Sequence, residues 1–103
     1  MNNVDIFANV RYDVNEVIAL LEFKGVVPAV NYLKDRIQLY WSKTITEEQL
    51  ITDVTEFLSC QKNRDYIFRG NDFAPSVKRM GQGRLVTFKE VLSKIDNGKY
   101  SVL

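Results

Sequence analysis

The sequence predicts an all-α fold, a small single-domain bundle of about four to five helices over residues 1–103, arranged around a central helix at 28–43. Three observations predict it. Apolar residues recur at helical spacing in four separate stretches. Three of these stretches open on a capping-box spacing, Asp13 with Glu16, Thr46 with Gln49 and Thr87 with Glu90, in which each side chain satisfies a backbone donor of the first turn. The stretch PAVNYLKDRIQLYWSK carries more apolar surface than an exposed helix needs.

The first ten residues fit a helical turn or an extended arm equally well. From Asp13 the signal is clearer: a helix over about 14–24 has Val14, Val17, Ile18 and Leu21 as its stripe, Leu20 and Phe23 extending it, and Gly25 as a left-handed terminator. The central helix follows with Pro28 in its first turn, where a missing donor costs no hydrogen bond. Val30, Leu33, Ile37, Tyr40 and Trp41 fall on one broad face, with Tyr32 and Leu39 on a second strip, so Ile37 and Trp41 are both expected in the core. The link is short, so these two helices should be antiparallel neighbours.

A third helix runs from the Thr46 cap to about Lys62, with Leu50, Ile51, Val54, Phe57 and Leu58 inward and Thr52, Asp53, Thr55, Glu56 and Ser59 outward. Beyond it, Asn63, Gly70, Asn71, Asp72, Pro75, Gly81 and Gly83 punctuate an irregular segment that holds one short helix near 74–80. The Thr87 cap then starts a helix with Phe88, Val91, Leu92 and Ile95 on one side, ending at Asn97 and Gly98, and the tail KYSVL is apolar enough to fold back. The competing reading is an α+β fold with a small sheet from 66–68, 84–88 and 100–103.

Composition excludes several functions. The 46% hydrophobic and 26% charged residues are those of an ordinary globular domain, and a net charge of +1 gives no strong overall attraction to nucleic acid or anionic lipid. The longest apolar run, Val17 to Leu21, is far too short for a membrane span, and a single cysteine with no secretory leader suits the cytoplasm. Without histidine the chain lacks the usual general base and the commonest metal ligand, and one cysteine completes no zinc site. Asp53 and Glu56 read as a solvated helix surface rather than a catalytic pair. Cys60 reads as a small side chain near a helix carboxyl end, where the dipole disfavours a thiolate. Gly81-Gln82-Gly83 is a turn rather than a phosphate loop, because no strand precedes it. No catalytic residue, cofactor or metal is therefore expected.

One cluster stands out. Residues 62–84 hold six basic residues, Lys62, Arg64, Arg69, Lys78, Arg79 and Arg84, against two acidic ones, a local charge of +4, with Tyr66, Phe68 and Phe73 interleaved. Arginine and aromatic residues dominate protein interfaces. These nine residues are the expected contact of a non-enzymatic regulatory or adaptor protein with a partner protein bearing an acidic surface, and one helix face would in addition support a homo-oligomer. The same composition supplies phosphate contacts and stacking, so nucleic acid is the alternative partner. In that reading the helices near 74–80 and from Phe88 would form a helix-turn-helix, although Lys89 and Lys94 beside Glu90 make a poor recognition surface.

Overall fold

A glycine with φ 120° opens the longest helix, a conformation other residues adopt only under strain, and Gly25 is also tied down by its own N–H, which donates to the Tyr66 hydroxyl at 3.1 Å. A computed structural model of the chain describes residues 22–102, in the order α1 (Val26–Trp41), α2 (Glu47–Leu58), α3 (Gln61–Ile67), β1 (Phe68–Arg69), β2 (Asp72–Phe73), α4 (Pro75–Lys78), α5 (Gln82–Ser93) and a 3-10 turn at Asp96–Gly98. The fold is helical. The sheet of the competing reading does not form: residues 84–88 lie within α5, residues 100–102 are not a strand, and the only strands among the described residues are the two-residue pair β1–β2. The helix expected over 14–24, its cap and its antiparallel packing lie outside the described residues except at 22–24, which are not helical. Gly25 accordingly begins α1 where a terminator was expected.

Helix α1 is the centre. It touches α2, α3, α4 and α5, and it buries Ala29, Val30, Leu33 and Ile37 in a stripe of i, i+4 and i+8 positions. Trp41 is a correction: at the last turn of α1 it is 42% exposed, because the helix has by then run past the end of the core. Its indole N–H donates to Thr87 Oγ1 at 3.1 Å, so the ring lies on the flank of α5.

Helix α2 starts as its cap predicts, with Thr46 Oγ1 accepting from the Gln49 N–H at 3.1 Å and Glu47 and Glu48 at the positive end of the dipole. Asp53 does not face outward. It is 7% exposed at the seam with α1, where it accepts from Arg36 Nε at 2.8 Å and from Gln49 Nε2 at 2.8 Å. A helical wheel puts it at the edge of the polar arc, and the polar arc of α1 meets it there.

The helix expected to reach Lys62 breaks at Ser59 and Cys60. Cys60 has extended backbone, φ −93° and ψ 124°, and is buried before the first turn of α3 rather than lying within the last turn of a longer helix. The break admits Asn63 to the interior. Its Nδ2 donates to the Phe57 carbonyl at 3.0 Å and its Oδ1 accepts from the Phe23 N–H at 3.1 Å, joining the end of α2 to the chain entering α1. Gly70, with φ 61°, turns β1 into β2 so that Phe68 lies opposite Phe73.

The short helix near 74–80 is present as α4, with Pro75 at its first position. Helix α5 starts at Gln82, five residues before the expected cap: Gly81 with φ 104° provides the entry, and Thr87 sits in mid-helix with its hydroxyl given to Trp41. It ends near the expected Asn97 and Gly98, both at positive φ, and Tyr100 and Val102 pack back on the core. Leu50, Phe57, Ile67, Val77, Phe88 and Leu92, all within 1% of full burial, close that core from every helix around α1.

Candidate functional site

The nine residues of the basic, aromatic segment do not form one surface. Phe73 is 3% exposed, its ring 5.5 Å from that of Phe88, and is core. Tyr66 is half-buried, its hydroxyl committed to Gly25. Several cations are also occupied within the chain: Lys62 pairs with Glu22 at 3.4 Å, Lys78 pairs with Asp72, and Arg69 Nη1 donates to the Asp65 carbonyl at 2.9 Å. The Lys78 hydrogen bond, helped by the Phe73 N–H, holds the Asp72 carboxyl below its ordinary range. The remaining members fall in three places.

The first is a cleft of about 390 Å³ where the tail crosses α3 and the hairpin. Arg64 and Phe68 line it from the segment, and Lys99 and Tyr100 line it from the tail. Arg64 is oriented by Nη1 donating to the Leu58 carbonyl at 2.7 Å. Phe68 stacks on Tyr100, ring centroids 6.1 Å apart at 14°, and on Phe73 at 6.1 Å, while Lys99 Nζ lies 5.4 Å over the Tyr100 ring. Among the described residues Asp65 is the one carboxylate in the wall, beside two cations.

The second is a notch of about 170 Å³ between α1 and the end of α4, where Arg79 meets Val27, Val30, Lys34 and Met80. The third is Arg84. Its Nη1 donates to the Met80 carbonyl at 2.9 Å, its Nη2 reaches Gln38 Oε1 at 3.4 Å, and its guanidinium lies 5.8 Å over the Trp41 ring. The indole edge rests on Gly83, where a Cβ would meet it at 3.4 Å.

Lys99, Tyr100, Lys34, Val27 and Trp41 belong to these places, and sequence reasoning did not assign them to a site. They lie 15 or more residues from the segment's nearest end or on another helix, and only the apolar tail signalled a return of the chain. Among the described residues no group of three or more potential metal ligands gathers, and no helix is long and apolar enough to cross a membrane.

A family model described as "Conserved hypothetical protein" matches residues 30–95, more than half of the chain, so the chain belongs to that family. The match runs from the first turns of α1 to the end of α5. No curated protein and no solved structure matches the chain.

Proposed function

We propose that the domain acts by binding another protein with an acidic surface, as a small regulatory or adaptor protein without catalytic activity. The observation that carries this reading is the Arg64–Lys99 cleft, whose two cations flank the stacked rings of Phe68 and Tyr100. Tyrosine supplies a large contact area with few rotamers to freeze and arginine a planar fork of donors, and both are enriched among the residues that anchor protein interfaces. The cations attract a carboxylate, and the ring edges take its aliphatic neighbours. A cytoplasmic setting goes with the reading, Cys60 being a free thiol. A homo-oligomer would use the exposed Trp41 and Val86.

Nucleic acid is the second reading, favoured by the same cations and rings. Against it, Phe68 already stacks on two neighbours and Lys99 covers Tyr100, leaving little ring face for a base. Helix α4 has only four residues, and Lys94 of α5 is paired with Glu47 at 2.7 Å, so a helix-turn-helix is poorly equipped.

The test is capture of partners from the native host, with a nuclease-treated control, by the parent and by an Arg64→Ala, Lys99→Ala double variant. The double variant should lose its protein partner while its stability falls by no more than about 2 kcal/mol, since Lys99 is exposed and the half-buried Arg64 gives up one hydrogen bond to the Leu58 carbonyl. A phosphate-bound partner would instead disappear on nuclease treatment, and its log affinity would fall by roughly one unit of slope per phosphate contact as salt rises. Unchanged capture by the double variant would show that the cleft is only a solvated surface.

A further inference from the structure

The notch between α1 and α4 is built differently from the cleft. Its floor is aliphatic, Val30 and Met80 being 6% and 2% exposed, and its lip is Val27, 65% exposed on the first turn of α1. Lys34 stands on α1 and Arg79 on the chain leaving α4, and among the described residues no carboxylate lines the notch. Four cations of the described residues are ion-paired within the chain: Arg36 with Asp53, Lys62 with Glu22, Lys78 with Asp72 and Lys94 with Glu47. Lys34 and Arg79 are not among these pairs, and among the described residues neither side chain makes a hydrogen bond. Helix α1 also has no acidic residue in its first turn, so its positive end adds to the local field.

We infer that this notch seats an aliphatic side chain of a partner protein, carried on a segment whose flanking carboxylates meet Lys34 and Arg79. About 170 Å³ is room for a side chain or two rather than for a cofactor. An aliphatic floor offers a base nothing to stack on, which disfavours nucleic acid. Seating removes Val27 from water, and pairing uses two cations that have no ion pair among the described residues. This site rests on the protein-binding reading but on different elements from the Arg64–Lys99 cleft, so the two fail separately.

The experiment is methyl NMR of the full chain, titrated with a blocked peptide holding one leucine between aspartates. Control titrations use a peptide with serine in place of leucine, a peptide with lysines in place of the aspartates, and an oligothymidine. The leucine-aspartate peptide should shift the methyls of Val27, Val30 and Met80. A Lys34→Glu, Arg79→Glu variant, changed at surface positions the core does not need, should weaken binding by at least about tenfold, and Val27→Ser by several-fold. The Arg64→Ala, Lys99→Ala variant should lose any shifts around Tyr100 but keep those of Val27, Val30 and Met80, because the two sites share no lining residue. Equal binding of the serine peptide would remove the aliphatic seat. Shifts confined to the Tyr100 region, equal binding by the charge-reversed variant, a response to oligothymidine alone, or no shift at any soluble peptide concentration would each overturn the site.

Discussion

Replacing Asn63 by Ala removes a side chain with no solvent exposure from the point where the chain entering α1, the end of α2 and the start of α3 meet. Among the described residues, two backbone groups lose this partner. The Phe57 carbonyl retains only a 3.5 Å contact from the Cys60 N–H, and the Phe23 N–H loses its 3.1 Å bond. An unsatisfied buried polar group costs about 1 to 3 kcal/mol, and the lost volume adds a smaller amount, so the expected destabilisation is about 2 to 4 kcal/mol. In a domain of this size that lowers Tm by roughly 10 °C or more. Asn63→Asp gives the sharper comparison. It keeps the acceptor for Phe23 but turns a donor into a carboxylate facing the Phe57 carbonyl, so its folded pKa must rise above the unfolded value. The protonated form is then favoured in the folded state, and the penalty appears as pH climbs through the unfolded carboxyl range. Chemical denaturation of both variants between pH 4 and 7, about the range in which a carboxyl with a raised pKa titrates, should show Asn63→Asp recovering towards the parent at the acid end. A loss below about 0.5 kcal/mol for Asn63→Ala, or a pH-independent loss for Asn63→Asp, would refute the account of the helix break as held by this side chain.

Ile37→Ala should cost about 2 to 5 kcal/mol in denaturant unfolding, since Ile37 is 1% exposed at the centre of α1. Trp41→Ala should cost only about 1 kcal/mol by the same measurement, because the ring is 42% exposed and gives up one hydrogen bond and an exposed cation–π contact. Cys60→Ala should leave partner capture within a few-fold, with a modest loss of stability for a buried side chain. Lys78→Ala should move the Asp72 carboxyl upward towards its ordinary range in an NMR pH titration, and the small stability from that depressed carboxyl, present above the unfolded pKa, is lost as pH falls through the folded one.

Periodicity located α1 and α2, each of which buries one face and carries a local start signal, Pro28 or Thr46, whereas the short helix α4 was placed within an irregular segment, with Pro75 at its first position. It misplaced boundaries where long-range partners decide. Nothing local stops α2 before Lys62; Asn63 does, by bonding Phe57 and Phe23 from an interior position. Thr87 has the sequence of a cap, yet Gly81 opens α5 a turn and a half earlier and Trp41 takes the hydroxyl. In each case a side chain that reads as a helix boundary is used for a contact some 40 or more residues away.

The candidate site was legible in composition and not in arrangement, for a physical reason. A local charge of +4 counts cations without their partners, and the fold supplies partners from outside the segment or from its own backbone: Glu22 for Lys62, the Leu58 carbonyl for Arg64, Gln38 for Arg84. What remains for a ligand is set by tertiary contact. The tail brings Lys99 and Tyr100 to Arg64 and Phe68, and α1 brings Lys34 and Val27 to Arg79. The segment therefore divides between two faces, so charge reversal at Arg79 and truncation at Arg64 test different contacts. A variant altered at Arg64, Arg69 and Arg79 together would conflate them, whereas the paired variants Arg64–Lys99 and Lys34–Arg79 each remove one electrostatic unit that the fold assembles.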